Sequence, residues 1–183
     1  MRNENTMKVI DTPIYGAKVV QPKVFGDARG FFLETFEKNR YQQMLNIDLD
    51  FVQDNHSRST KGVLRGLHFQ KSRPQGKLVR VVRGEVYDVA VDIRRDSPSY
   101  GKWFGVLLTE ENKTQFWLPP GLAHGFAVLS DVADFEYKCT EYYQPSDEGC
   151  LLWNDPDLGI EWPLESPLLS EKDKLGKRFK ELD

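Results

Sequence analysis

The segment Val86-Tyr87-Asp88-Val89-Ala90-Val91-Asp92-Ile93 most narrows what this chain can fold into. Its alternation puts Tyr87, Val89, Val91 and Ile93 on one face and both aspartates on the other, the two-residue period of a strand. Runs of this kind recur with turn residues between them. Lys77 to Arg83 enters through an Arg83-Gly84 turn, Asp96-Ser97-Pro98-Ser99-Tyr100-Gly101 leads away, and Trp103 to Leu108 follows as another strand. Strands interrupted this often predict an all-β chain, mainly β with a few short helices, closed as a β-sandwich or barrel. The 10 prolines, 14 glycines and 12% aromatic content suit that many turns.

Residues 1–183 read as a single domain, since no interior stretch rich in Gly, Ser or Pro divides them. Residues 1–7 are expected as a disordered extension, with Met7 as an alternative start that leaves the first six without structural role. Residues 150–183, rich in Pro and Asp, are expected as a loop-rich C-terminal segment packing on the barrel. The formal charge of -3 lacks the basic excess of a nucleic-acid binder, so any nucleotide bound should be small and held by a few placed cations. No apolar run approaches the roughly 20 residues of a membrane span, and the polar start is unlike a signal peptide, so a cytoplasmic location is expected. Cys139 and Cys150, without C-x-x-C spacing, imply neither a disulfide framework nor a zinc site.

In chain order, Lys8 to Pro22 reads as edge strands. Phe25 to Phe36 reads as a turn centred on Gly26 and Asp27 followed by an aromatic strand. Arg29 and Glu34 in it are either an exposed ion pair or a polar pair that grips a ligand. Glu37 to Asn46 has helical spacing, and Phe51 to Ser59 returns as a strand with Gln53 and Asn55 on one face and Asp54 on the other. Two amides facing one way suit sugar or base hydroxyls, although turn formers look the same. His56, in a polar stretch, carries no functional reading.

Gly62-Val63-Leu64-Arg65-Gly66-Leu67-His68-Phe69-Gln70 sets a cation and an imidazole into an apolar, glycine-broken strand. Imidazole is a ready base near neutral pH, while a lone His in such a strand is more often a hydrogen-bonded core residue. Pro119-Pro120-Gly121 then turns the chain into a strand carrying His124. Tyr137 and Tyr143 share a strand face but would lie about 20 Å apart, so at most one sits at a reacting atom. The last ten residues read as a short charged helix, and Asp173 by itself reads as a solvated charge.

The His68 strand together with Pro119-x-Gly121-x-x-His124 resembles the two motif regions of the cupin superfamily, a jelly-roll barrel. Cupins usually hold a metal with a His-x-His pair, a glutamate and the later histidine. Here the pair is His68-Phe69-Gln70, and two histidines fall short of the usual three protein ligands, so neither a metal nor another cofactor is expected. A closer resemblance runs from about residue 8 to 173. Phe25-Gly26-Asp27-x-Arg29-Gly30-Phe31-Phe32, Phe51-Val52-Gln53-Asp54-Asn55-His56-Ser57, the Gly62-to-Gln70 stretch, Gly76-Lys77-Leu78-Val79-Arg80-Val81, Pro119-x-Gly121-x-x-His124-Gly125-Phe126, Trp153-Asn154-Asp155-Pro156 and Ser170-x-Lys172-Asp173 resemble the dTDP-4-dehydrorhamnose 3,5-epimerase family. The loop from Lys71 to Gln75 is slightly short for it.

That resemblance implies epimerisation at C3 and C5 of dTDP-4-dehydro-6-deoxy-D-glucose, giving dTDP-4-dehydro-L-rhamnose for dTDP-L-rhamnose biosynthesis, without a cofactor. Both protons lie next to the C4 ketone, so the work needs a base, an acid on the opposite face and a cation for the enolate oxygen. By the resemblance His68 is the base, Asp173 orients it, Tyr137 is the proton donor and Lys77 sits near the C4 oxygen. Arg29, Glu34, Gln53, Asp54, Asn55, Arg65, His124, Tyr143, Glu148 and Lys172 match positions that hold the nucleotide sugar, Asp54 being the least secure. It further implies a homodimer in which the Arg29-to-Glu34 segment completes the partner's site. The alternatives are a single-carbon epimerase or ketoisomerase on a related sugar, and a sugar-nucleotide-binding cupin without catalysis. Arg65 and His68, three residues apart, face opposite ways in a regular strand, so a shared site requires a bulge or bend at Gly66.

Overall fold

A computed structural model describes residues 7–182. The strands are β1 (Lys8–Asp11), β2 (Lys18–Gln21), β3 (Val24–Asp27), β4 (Gly30–Leu33), β5 (Gln53–Thr60), β6 (Leu64–Gln70), β7 (Lys77–Arg83), β8 (Glu85–Asp92), β9 (Trp103–Thr109), β10 (Gln115–Leu118), β11 (Leu122–Val128), β12 (Val132–Cys139) and β13 (Glu148–Cys150). Two short helices accompany them, α1 (Lys38–Leu45) and α2 (Glu171–Lys174). One sheet has the order β1-β2-β10-β7-β12-β5, a second β13-β6-β11-β8-β9, and among the described residues β3 and β4 pair only with each other.

The two larger sheets face each other as a jelly-roll sandwich, which is the all-β architecture that the alternating runs predict. Val79, Val81, Phe116, Leu118 and Phe135 from one sheet meet Val86, Ala90, Leu108, Leu122 and Phe126 from the other in the central core. The opposite face of β8 presents Val89 and Val91 to a second cluster with Leu67, Leu151 and Leu158, against which Trp162, Phe179 and Leu182 pack. Residues 150–182 thus cover the outer face of the five-stranded sheet. A third cluster lies outside the six-stranded sheet, where Tyr41 and Leu45 of α1 bury against Val20, Leu78 and Trp117. The four-residue spacing of Tyr41 and Leu45 makes that contact possible, and the Glu37 carboxylate caps the helix by accepting from the amides of Asn39 and Arg40.

Several expectations change. β2 is an interior strand, paired on both sides, so of the two strands expected as edges β1 alone lies at a sheet edge. Gly26 and Asp27 lie within β3, and the turn falls at Ala28 and Arg29. No single helix ends the described residues: α2 is four residues long and a separate 3-10 turn spans Phe179–Glu181. The expected extension at residues 1–6 lies outside the described residues, but Met7 is half-buried against the third cluster and does not belong to it. Among the described residues no helix is long and apolar enough to cross a membrane.

Candidate active site

The site forms where β6 breaks its register. His68 pairs with His124 of β11, but the next pair is Arg65 with Phe126, so two residues of β6 oppose one of β11. Gly66 makes this possible. Its φ is +120°, and a Cβ there would stand 2.6 Å from Gly125 Cα and 2.7 Å from the His124 carbonyl. The bulge reverses the facing required of a regular strand. Leu67 joins the outer apolar cluster, while Arg65 and His68 line one cavity with Ser170, Lys172 and Asp173.

Asp173 is no surface charge: it is 3% exposed, with an oxygen 2.5 Å from His68 Nε2. Ser170 accepts from the Asp173 amide at 3.1 Å, which caps α2 and aims the carboxylate at β6. Burial opposes its ionisation, but the bonds to His68, Ser170 and the Gly66 amide hold its pKa below the ordinary carboxylate value. Facing a carboxylate, Nε2 is the protonated nitrogen and Nδ1 keeps a lone pair. Nδ1 lies 3.9 Å from Glu148, whose carboxylate accepts from Tyr143 Oη at 2.8 Å and pairs with Lys172. Burial pushes the Glu148 pKa up, and the bonds from Lys172 and Tyr143 more than offset it, leaving it lowered.

The facing six-stranded sheet carries further expected residues on β5, β7 and β12. Gln53 Oε1 accepts from the Tyr143 amide, and its Nε2 donates to Asn55 Oδ1 at 3.0 Å. Tyr137, paired with Asn55 across β5, has its pKa pushed up to about 12, chiefly by burial and also by Cys139, so it is a protonated phenol at neutral pH. Lys77 Nζ stands 5.9 Å from the Tyr137 ring centroid. Burial draws the Lys77 pKa below the ordinary lysine value, while Cys139, Asp88 and Glu148 pull the other way.

His124, 7% exposed, bonds through Nε2 to Asp88 Oδ2 at 2.9 Å, and burial outweighs that partner to lower its pKa. Asp88 Oδ1 is buried without a partner among the described residues. Sequence reasoning named His124 but not Asp88. The signal was there, because a carboxylate on the face of β8 that carries Val86 and Ala90 enters the core and needs a partner. Ser59, which accepts from Arg65 Nε at 2.9 Å, also escaped notice, and Cys150, read only for its spacing from Cys139, lies beside Asp173.

Three of the expected binding residues stand apart. Asp54 faces outward from β5 and bonds to Lys138 at 2.9 Å, because alternation places it opposite Gln53 and Asn55. Arg29 pairs with Asp27 at the tip of the exposed β3–β4 hairpin, and Glu34 pairs with Arg40 at the start of α1, so the two do not pair with each other. His56 lies on the outer face beside Asp134.

The cupin metal position does not fit these residues. The Gln70 amide donates to the carbonyls of Arg73 and Tyr142 and accepts from the Gln144 amide, so its side chain ties a loop to the barrel. His124 Nε2, the later ligand of that position, is held by the Asp88 carboxylate.

Residues 11–181 match the sequence profile of dTDP-4-dehydrorhamnose 3,5-epimerase. A Shigella flexneri protein of that name is 54% identical over 178 residues, 97% of this chain and 98% of the relative. The fold superimposes with a TM-score of 0.94 on a Legionella pneumophila dTDP-6-deoxy-D-glucose-3,5-epimerase in complex with dTDP-4-keto-L-rhamnose, 56% identical and covering 97% of this chain and 95% of that one. A 3'-monoepimerase from Streptomyces bikiniensis in complex with dTDP-quinovose is 36% identical with a TM-score of 0.87, covering 93% and 87% of the two chains. With a cupin-type jelly roll, a His–Asp pair in its cavity and a match across nearly its whole length, the chain belongs to the dTDP-4-dehydrorhamnose 3,5-epimerase family.

Proposed function

We propose that the chain epimerises C3 and C5 of dTDP-4-dehydro-6-deoxy-D-glucose, giving dTDP-4-dehydro-L-rhamnose, and that His68 and Tyr137 carry the two proton transfers. The observation that carries this reading is the placement of His68 and Tyr137 on facing sheets. Packed sheets lie about 10 Å apart, so a sugar ring between them meets a base on one face and an acid on the other.

His68 Nδ1 takes the proton next to the ketone, and the Asp173 carboxylate on Nε2 stabilises the imidazolium that forms. The C–H electron pair moves into the ring as an enolate, whose oxygen is stabilised by the Lys77 ammonium. Tyr137 returns a proton from the other side, inverting the centre. Arg65 and Lys172 supply the cations for the diphosphate, while Gln53, Asn55, His124, Glu148 and Tyr143 frame the sugar and base. Asp54 is left out because it faces away.

The protein works as a homodimer in the cytoplasm under this reading. Phe31 and Phe32 are 60% and 70% exposed on a hairpin that pairs only with itself, with Arg29 at its tip, which suits an arm laid across a partner's site. A monomeric sedimentation profile at assay concentration would remove that part. Similarity to a 3'-monoepimerase keeps a single-carbon enzyme as the second reading. Proton NMR of dTDP-4-keto-6-deoxyglucose with the protein in heavy water separates them. Two deuterons at carbon support the double epimerase, one the monoepimerase, and binding without exchange a cupin that has lost catalysis.

A further inference from the structure

One residue against the dyad, Cys150, has no part in this chemistry. Cys150 stands directly opposite His68 in the β13–β6 pairing, and its Sγ lies 3.9 Å from Asp173 Oδ1. The sulfur, a His68 ring nitrogen and an Asp173 oxygen all lie within 4.8 Å of one another. Sulfur, imidazole and carboxylate are the donor types of zinc sites with three protein ligands and a fourth position open to water. The set shares His68 with the cupin position but takes Cys150 and Asp173 where that position draws on Gln70 and His124.

Around a tetrahedral zinc the ligand atoms sit roughly 3–4 Å apart. The sulfur-to-oxygen spacing already meets that, and the 2.5 Å between Nε2 and Oδ1 has to open by rotation of the two side chains. His68 and Asp173 line the cavity, which supplies the entry path.

We infer that His68, Asp173 and Cys150 form a binding site for a thiophilic divalent cation of the zinc class, and that its occupation switches off the base. The metal displaces the Cys150 proton to solvent and forms a metal–sulfur bond. The imidazole proton moves from Nε2 to Nδ1 as Nε2 takes the metal, and Asp173 exchanges that proton for the cation. Nδ1 then carries a proton where the free enzyme has a lone pair.

Binding rests on the cluster alone, whereas the inhibition rests on the proposed epimerase function. The test titrates cobalt(II) into the whole chain and follows the thiolate-to-cobalt charge-transfer band, then measures zinc inhibition of deuterium exchange against each variant's own metal-free rate. The expected result is a band in the wild type and in Cys139→Ser that is absent in Cys150→Ser, with zinc inhibition at least tenfold weaker in Cys150→Ser. A wild type without the band, a band lost in Cys139→Ser and kept in Cys150→Ser, or equal zinc sensitivity of wild type and Cys150→Ser overturns the inference. Failure of the epimerase reading shows separately, as a chain that binds cobalt normally and exchanges no substrate proton.

Discussion

Replacing Asp173 by Asn keeps the size of the side chain and removes its charge. At 3% exposure no water can take over the carboxylate's place, and its bond to His68 Nε2 is 2.5 Å long. A hydrogen bond to a charged group contributes about 1.5–3 kcal/mol, and this one matters most once the imidazole has taken the substrate proton. Losing it at the transition state slows the reaction by about 10- to 150-fold, at roughly 1.4 kcal/mol per tenfold. The carboxamide adds a second penalty, because its NH2 can donate to Nε2 and hold the ring proton on Nδ1, where the base is needed. A wrong tautomer of this kind costs about 10⁴-fold in the His–Asp pair of a serine protease. The expected fall in kcat is therefore about 10²- to 10⁴-fold, with KM within about threefold because Asp173 orients the base without holding substrate. The assay is deuterium incorporation at C3 and C5 by NMR, with thermal unfolding as the control for the fold. A folded Asn variant with kcat within about fivefold of the wild type would refute the argument.

Tyr137→Phe removes the acid and leaves the base, so net inversion should slow by about a hundredfold while some solvent exchange at carbon persists; loss of neither excludes Tyr137 as donor. The lowered pKa of Lys77 means that it loses its charge below the pH at which a free lysine would, so kcat/KM should decline early on the alkaline side. Arginine stays charged, so an active Lys77→Arg variant should lose that alkaline limb, and an unchanged limb assigns it elsewhere. Gly66→Ala forces a Cβ into the β11 backbone at a positive φ, and chemical denaturation should show a loss of at least about 1–3 kcal/mol. Asp92 is fully buried among bonds from Arg94, Ser97 and Ser99, and its pKa is held at about 2 against 3.8. Its folded pKa is depressed, so the stabilisation is present above about pH 4 and is lost as pH falls through 2. Asp92→Asn should cost on the order of 2 kcal/mol at pH 7 and progressively less in acid, as urea melts across that range would show.

What could be read from the chain depended on whether the cause was local. The alternation of β8, the turn at Gly84 and the spacing of Tyr41 and Leu45 are properties of neighbouring residues, and the structure realises each of them. The bulge at Gly66 was legible once the resemblance gave Arg65 and His68 a shared site, because that contradicts a two-residue period unless the strand breaks there. Asp173 was not legible without the family resemblance. Its burial depends on a four-residue helix folding back over a strand more than a hundred positions earlier, and nothing around Ser170 records that contact. The hairpin turn was misplaced because Gly26 and Gly30 both suit a turn, and strand pairing decided between them. Asp88 shows a third kind of case. Its strand face could be deduced, but the need for a partner becomes a requirement only once that face is known to point inward, and His124 meets it across a pairing of β8 with β11 that no local pattern encodes. Buried polar pairs between distant strands therefore call for an explicit step in reading a β-sandwich: each inward carboxylate should be matched to an inward cation or imidazole before either is dismissed as surface charge.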